Sequence, residues 1–282
     1  MIAQHQTAFA DLIANFDEGT IQAFVQRLGG KGFRQVMSAT GHEGLRTVLD
    51  VLELERQGRI TGFDDWVSFF NRSNAENDRL ADIVGELDVA KQTALELGQG
   101  EIVNVGGDAR AAAGRSGGQN KSFDITVENA QTGEVARNIE VQTVDGVVSR
   151  ATQLLDGVGH AVGKAISANS GTVEAAIRVQ LPEPGEMIVQ PTGKHRYFGN
   201  NGRYVEIYDP DNAEREIRGR TDRIGRDTYA GERSIFEGLE QSLSRTSNFD
   251  VVDRVTVFDM NGNTVAILNR ANNGNWTLEN IR

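Results

Sequence analysis

The sequence predicts an α+β protein with an N-terminal all-α domain, a mixed α/β core and a β-rich C-terminal extension. Apolar residues recur at helical spacing up to about residue 98, and after that point glycine-rich segments and period-two alternation replace them. Beyond residue 185 short strands and turn residues dominate. These observations divide the 282 residues into a helical domain at 1–98, an α/β core at 99–184 and an α+β extension at 185–282 that ends in a hairpin.

Composition excludes several classes of protein. The net charge of −11 argues against non-specific nucleic-acid binding by the chain as a whole. The absence of cysteine excludes disulfides and thiolate metal sites. No apolar run approaches the roughly 18 residues of a membrane span, so no membrane partner is predicted. Because the N-terminus lacks a secretory signal, we expect a cytoplasmic protein, or one exported without a signal peptide by a secretion or injection apparatus.

The first domain is predicted to be a set of packed helices without chemistry of its own. Helical spacing is present in AFADLIANF, IQAFVQRL, LRTVLDVLELE and NDRLADIVGELDVAKQTALEL. Thr40 and Glu43 have the spacing of a capping box, which predicts a helix beginning near Gly41. An aromatic cluster at helical spacing predicts core packing and comprises Phe63, Trp66, Phe69 and Phe70.

The middle third predicts a small mixed α/β layer. A strand at 101–105 precedes a glycine-rich loop, which has neither of the common phosphate-binding glycine patterns and is predicted to be a flexible loop. Two strands follow, then a helix at 147–169 and a strand in GTVEAAIRVQLP.

The two strands lie in KSFDITVENAQTGEVARNIEVQTVDG and predict a hairpin. Phe123 and Val141 belong to its apolar face. With Thr132 at the centre of the turn, Asp124 faces Glu140 across the polar face, and other registers place the two carboxylates on a diagonal. Facing like charges are destabilising, and a hard cation such as Mg²⁺ would remove the repulsion. The alternative is an ordinary hairpin with polar residues on its solvent side.

An Asp in one strand followed by Glu-x-Lys in the next resembles the PD-(D/E)xK nuclease superfamily. The match consists of SFD, a gap of 15 residues and EVQ, which assigns the family's Asp to Asp124, its Glu to Glu140 and its Lys to Gln142. The resemblance covers roughly residues 80–182 and implies a restriction-endonuclease-like core. Gln142 departs from the pattern, since it cannot supply the lysine's charge.

This resemblance implies metal-dependent phosphodiester hydrolysis. Asp124, Glu140 and the carbonyl of Val141 would hold Mg²⁺ or Mn²⁺, and the substrate would be DNA or RNA. A helical domain joined to a nuclease-like unit is also similar to the cargo of bacterial toxin-delivery systems, which implies an inhibitory or delivery protein as partner.

The helix after the hairpin offers groups that replace what Gln142 lacks. One stripe along it contains Gln153, Gly157, His160 and Lys164. His160 is the candidate proton carrier and Lys164 the candidate phosphate partner. The alternative is a solvated helix face. The helix's glycines, which include Gly159 and Gly163, predict close packing against sheet or ligand.

Two further readings stay open. In the first, the fold is catalytically inactive and serves as a binding or structural module, which Gln142 and the acidic composition favour. A calcium-binding or carbohydrate-binding C-terminal module is the other, because DMNGN at 259–263 resembles part of a calcium loop. That run lacks the downstream glutamate, and its Asn-Gly predicts a type I′ hairpin turn instead.

Overall fold

The computed structural model describes residues 14–70, 77–105, 123–165, 171–190, 194–208 and 233–281. They form a mixed α+β protein, which confirms the predicted class. The chain divides into two compact units. Unit 1 comprises Met1–Thr143 and Gly163–Ala176, and unit 2 comprises Val144–Val162 and Ile177–Arg282. The division into three domains at residues 98 and 184 stays a prediction.

Unit 1 begins with helices. Their bounds are α1 Glu18–Arg27, α2 Gly29–Arg56, α3 Phe63–Phe70 and α4 Asn77–Leu95. Asp17 caps α1 by accepting the N–H of Thr20 at 2.8 Å. Most of the predicted AFADLIANF helix lies outside the described residues.

Helix α2 begins twelve residues before the start predicted near Gly41, and its backbone leaves helical geometry at that glycine. Gly41 has φ 66° and ψ −153°, a left-handed conformation that glycine adopts without a side-chain clash. The Thr40 hydroxyl donates to the carbonyl of Val36 at 2.9 Å, as a residue inside a helix does, rather than opening a new helix. The predicted capping box of Thr40 and Glu43 therefore does not open a helix at Gly41, although the helical geometry is interrupted there.

Aromatic residues of α3 fill the core of unit 1, as predicted. Phe63, Trp66 and Phe70 are buried, and the rings of Phe63 and Phe70 lie 6.3 Å apart. The side chain of Phe69 lies outside the described part of the structure.

The sheet of unit 1 has the order β1-β2-β3-β4-β5. The strands are β1 Ile60–Thr61, β2 Glu101–Val105, β3 Ile125–Asn129, β4 Val135–Val147 and β5 Thr172–Gln180. β1 runs parallel to β2, whereas β2, β3 and β4 are antiparallel. The predicted glycine-rich loop after β2 falls in residues 106–122, outside the described ranges.

Strands β3 and β4 form the predicted hairpin in the predicted register. Ile125 pairs with Ile139, and both are buried. The side chain of Asn129 closes the turn by accepting the N–H groups of Gln131 and Thr132. This register is the one that places Asp124 and Glu140 on a common face.

Helix α5, Ala151–Ala165, connects β4 to β5. It was predicted to begin at Val147, but β4 continues to that residue. The side chain of Gln153 fixes the start, because its Oε1 accepts the N–H groups of Ser149 at 3.0 Å and Arg150 at 3.1 Å. The end predicted at Asn169 lies beyond the described part of the helix.

Unit 2 contains a second sheet with the order β6-β7-β8-β9, a helix and a C-terminal meander. Their bounds are β6 Met187–Val189, β7 Lys194–Phe198, β8 Arg203–Tyr208, β9 Arg233–Ser234, α6 Ile235–Arg245, β10 Arg254–Asp259, β11 Thr264–Arg270 and β12 Trp276–Ile281. The β10–β11 hairpin confirms the hairpin predicted around residues 259–263. Ser234 and Glu237 form a capping box at the start of α6.

The turn between β10 and β11 is held by Asp259. Its carboxylate accepts the N–H groups of Asn261 at 2.9 Å and Asn263 at 2.8 Å, so it holds the turn. Gly262 has φ 80°, but Asn261 does not have a positive φ, so the turn is not the predicted type I′.

Candidate functional site

A cavity of about 200 Å³ in unit 1 collects the acidic residues of the predicted site. Helix α4, strand β4, helix α5 and the residue before β3 contribute side chains to it. It is lined by Asp82, Glu86, Asp124, Glu140, Val141, Gln142, Thr143 and Lys164. The structure thus brings together four of the five predicted catalytic residues and adds two carboxylates from α4.

Asp124 lies just before β3 and is 4% exposed. Its Oδ2 accepts the N–H of Val141 at 2.8 Å, so this oxygen replaces a ladder bond of the neighbouring strand. Its Oδ1 lies 3.2 Å from the Lys164 ammonium. One carboxylate therefore both orders the hairpin and faces the cavity.

Glu140 lies in the middle of β4 and is 5% exposed. Its Oε2 is 2.6 Å from the ammonium nitrogen of Lys164, in the last turn of α5. Lys164 thereby bridges Glu140 and Asp124, and its charge offsets the repulsion predicted between the two carboxylates. The alternative of a polar face on the solvent side is wrong, because both carboxylates are buried.

Asp82 and Glu86 add a second pair of carboxylates and were missed by sequence reasoning. They lie four residues apart on α4, so their side chains project from one face of the helix. A signal was present, because Asp78 precedes them at the same spacing and like charges at this spacing destabilise an isolated helix. The repeated acidic spacing marks one face of the helix but does not identify what that face meets.

The cavity is strongly acidic. Four carboxylates and one ammonium line it, so the charges do not balance when all five groups are ionised. Gln142 contributes no charge, and its Nε2 donates to the carbonyl of Thr143 at 3.2 Å. Lys164 therefore supplies the cationic group that the strand position of Gln142 lacks.

His160 does not line this cavity, contrary to the prediction that it joins Lys164 there. It is exposed and lines a different cavity in unit 2, together with Asp156, Asn248 and Phe249. His160 precedes Lys164 by one helical turn, and a turn advances the helix by about 5.4 Å. Residues of one stripe therefore need not reach one site.

The glycines of α5 differ in how closely other parts of the protein approach them. A Cβ at Gly157 would lie 3.3 Å from the side chain of Ile177 on β5, which confirms close packing there. At Gly159 and Gly163 a Cβ would meet no atom of the described residues within 4 Å, so the sheet does not pack closely at these two positions, and close approach of a ligand there stays a prediction.

The donor set fits a hard cation in type but is not arranged as a formed metal centre. Carboxylates are the ligands that Mg²⁺ and Mn²⁺ prefer, and the lining provides four of them. Among the described residues, however, no three His, Cys, Asp or Glu side chains are positioned to hold one ion. The Lys164 ammonium lies instead between Asp124 and Glu140.

No family model matches this chain, no curated protein is significantly similar to it, and no solved structure matches it at a significant level. Within the described residues no helix has the length and apolar character needed to cross a membrane. Any functional conclusion therefore depends on the chemistry of the acidic cavity.

Proposed function

We propose that the chain is a metal-dependent nuclease that hydrolyses phosphodiesters in the acidic cavity. The observation that carries this proposal is the bridge from Lys164 to the buried carboxylates of Asp124 and Glu140, at 3.2 Å and 2.6 Å. A buried acid pair with a lysine, in a cavity with further carboxylates, is a combination that suits cation and phosphate binding.

The local topology supports a PD-(D/E)xK-like core. The elements follow one another along the chain in the order that the resemblance implies. They are helix α4, the antiparallel strands β2, β3 and β4, helix α5 and strand β5. Asp124, Glu140 and Gln142 lie at its motif positions and line one cavity.

Asp124, Glu140 and the carbonyl of Val141 would hold Mg²⁺ or Mn²⁺, with Asp82 and Glu86 as further oxygen donors. When bound, such an ion supplies Lewis-acid polarisation of a phosphate ester and of water. Asp124 keeps its position through the N–H of Val141, so its second oxygen stays directed into the cavity.

Lys164 acts on the phosphate in this proposal. It is the only cationic side chain among the described residues that line the cavity. Its ammonium would hold a non-bridging phosphate oxygen and offset the negative charge that develops during hydrolysis. Gln142 would contribute a neutral amide, which orients a polar group but provides no charge.

Purified protein incubated with Mg²⁺ or Mn²⁺ and with DNA or RNA tests the proposal. We expect cleavage that EDTA abolishes, and a loss of at least about a hundredfold in Glu140→Ala, because a metal ligand and its charge are both removed. Wild-type protein that cleaves neither polymer with either metal would contradict the proposal.

A catalytically inactive nuclease-like module is the second candidate. The same lysine favours it, because Lys164 already offsets part of the charge of Asp124 and Glu140 from within the protein, and Gln142 occupies the family's lysine position. Gln142→Lys separates the candidates. An inactive wild type that stays inactive after this change supports the binding module.

A role as a delivered toxin is a separate prediction that rests on the nuclease activity. Expression inside a bacterial cell should arrest growth, and Glu140→Ala should relieve the arrest. Arrest by both proteins would contradict a toxic nuclease activity.

A further inference from the structure

Unit 2 contains the cavity that His160 lines, and its volume is about 680 Å³. Helix α5 and the 3₁₀ turn Ser247–Phe249 provide its lining, and no residue of the acidic cavity belongs to it. Small-molecule sites in proteins have volumes of about 300 to 1,000 Å³, so this space is large enough for a ligand. We call it the α5 cavity.

Gly159 leaves the backbone of α5 uncovered inside this cavity. Glycine in a helix interior is less stable than alanine, so a reason for it is expected. Its backbone does not require glycine, because φ is not positive. Packing does not require it either, since a Cβ would meet no atom of the described residues within 4 Å. Close approach of a ligand to the helix backbone would account for this glycine.

Helix α5 has different chemistry on the two sides of Gly159. An α-helix turns by about 100° per residue, which places Leu155 and Val162 together on one side. Asp156 and His160 lie on the other side, four residues apart and therefore one turn from each other. All of them line the cavity, so a ligand over Gly159 would meet an apolar surface and a polar one.

The polar groups of the α5 cavity are available to a ligand. Among the described residues, the side chains of Asp156, His160 and Asn248 form no hydrogen bond or ion pair with another residue, and all three are exposed. A carboxylate, an imidazole nitrogen and an amide oxygen can each accept a hydrogen bond. No lysine or arginine lines the cavity, so it lacks the cation that an anionic ligand would need.

We infer that the α5 cavity binds a small organic cation, in which a primary ammonium group is attached to an apolar chain. The ammonium group pairs with Asp156 and donates its remaining hydrogens to His160 and Asn248. The chain lies over Gly159, and the ring of Phe249 attracts the cation through its π-face. This inference does not depend on the proposed nuclease activity, because no residue of the acidic cavity takes part in it.

Titration of the full chain with hexylammonium, hexanol and hexanoate, followed by the amide shifts in ¹H–¹⁵N NMR spectra, tests the inference. The three compounds share one chain length and differ in charge. Hexylammonium should shift the amides of Gly159 and Phe249 at a lower concentration than hexanol, and hexanoate should not shift them. Equal affinities for hexylammonium and hexanoate would overturn the inference.

Asp156→Asn tests the ion pair. The variant should bind hexylammonium about fivefold more weakly than the wild type, as expected for a partly exposed pair, and should bind hexanol equally well. Added salt should weaken the binding of hexylammonium to the wild type for the same reason. An unchanged affinity of Asp156→Asn for hexylammonium would contradict the proposed role of the carboxylate.

Gly159→Ala and Gly163→Ala form a matched pair. Both glycines are exposed residues of α5 at which a Cβ would meet no atom of the described residues within 4 Å, but Gly163 does not line the cavity. Both variants should have a higher melting temperature than the wild type, because alanine favours a helix. Only Gly159→Ala should lose affinity for hexylammonium, since its methyl group takes the space of the chain. Equal affinities of the two variants would overturn the site.

Discussion

The ammonium nitrogen of Lys164 lies 2.6 Å from Oε2 of Glu140, which joins the last turn of α5 to the middle of β4. The same ammonium lies 3.2 Å from Asp124, so one cation serves two buried anions. This contact stabilises unit 1. The ammonium group also occupies the position where a metal ion would be most favourable.

Lys164→Met should destabilise the protein strongly when no divalent ion is present. Two buried carboxylates would lose their shared cation, and breaking a buried pair costs about 3 to 5 kcal/mol. Urea unfolding in EDTA measures the loss, and Mg²⁺ should restore more stability to the variant than to the wild type.

Lys91→Met is the control for this change. Lys91 pairs with Asp88 at 3.1 Å and Asp50 at 3.5 Å, away from the cavity lining. Its loss should cost stability that Mg²⁺ does not restore. Equal rescue of both variants would show that the ion acts elsewhere.

Asp124→Asn and Asp124→Ala should separate the two tasks of this side chain. Asparagine keeps an acceptor for the N–H of Val141, whereas alanine leaves a buried donor without its bond, at a cost of about 1 to 3 kcal/mol. Exchange of the Val141 amide hydrogen should therefore be faster in Asp124→Ala than in Asp124→Asn. Equal exchange rates would mean that the carboxylate does not hold β4.

Gln142→Lys should raise the free energy of unfolding in the absence of metal. The new ammonium would enter a cavity that Asp82, Glu86 and other carboxylates line, and extra positive charge is favourable there. Thermal unfolding at low ionic strength measures the gain, which added salt should reduce. A lower melting temperature would contradict the charge excess assigned to the cavity. Cleavage by this variant should equal or exceed that of the wild type.

Asp50 gives a pH dependence of known sign. Burial raises the pKa of the Asp50 carboxyl above its ordinary value, against the opposing effect of Lys91. The folded state thus favours the protonated form, so this contribution is present below the unfolded pKa of about 3.9 and is lost as pH rises through the folded value. Asp50→Asn should therefore be stabilised relative to the wild type more at pH 7 than at pH 4. Urea unfolding at both pH values measures this difference. A gain in the stability of Asp50→Asn found only at pH 4 would contradict the direction of this pKa shift.

The hairpin could be predicted because its constraint is local. Apolar residues alternate with period two in both strands, and only odd-to-odd pairing buries Ile125 and Ile139 together. The contact of Lys164 with the hairpin was predictable for a related reason, since a helix that follows a strand packs back on the same sheet.

Other features depend on contacts between distant parts of the chain. Asp82 and Glu86 enter the cavity through the packing of α4, and the acidic spacing within the helix does not specify which other element this face meets. The burial of Glu140 likewise depends on α5, and a strand alone does not reveal which face is covered. His160 was misplaced because a stripe on a helix is longer than one site.

The most direct test of the nuclease proposal compares two buried, ion-paired glutamates of unit 1. Glu140 is 5% exposed and lies 2.6 Å from Lys164, and Glu174 is 4% exposed and lies 2.6 Å from Arg137, outside the cavity lining. Cleavage of DNA and RNA with Mg²⁺ or Mn²⁺ should fall at least about a hundredfold in Glu140→Gln, because a ligand charge is removed, and stay close to the wild-type rate in folded Glu174→Gln. Equal rates for the two variants, or a wild type without metal-dependent cleavage, would contradict the assignment of the acidic cavity as a nuclease site.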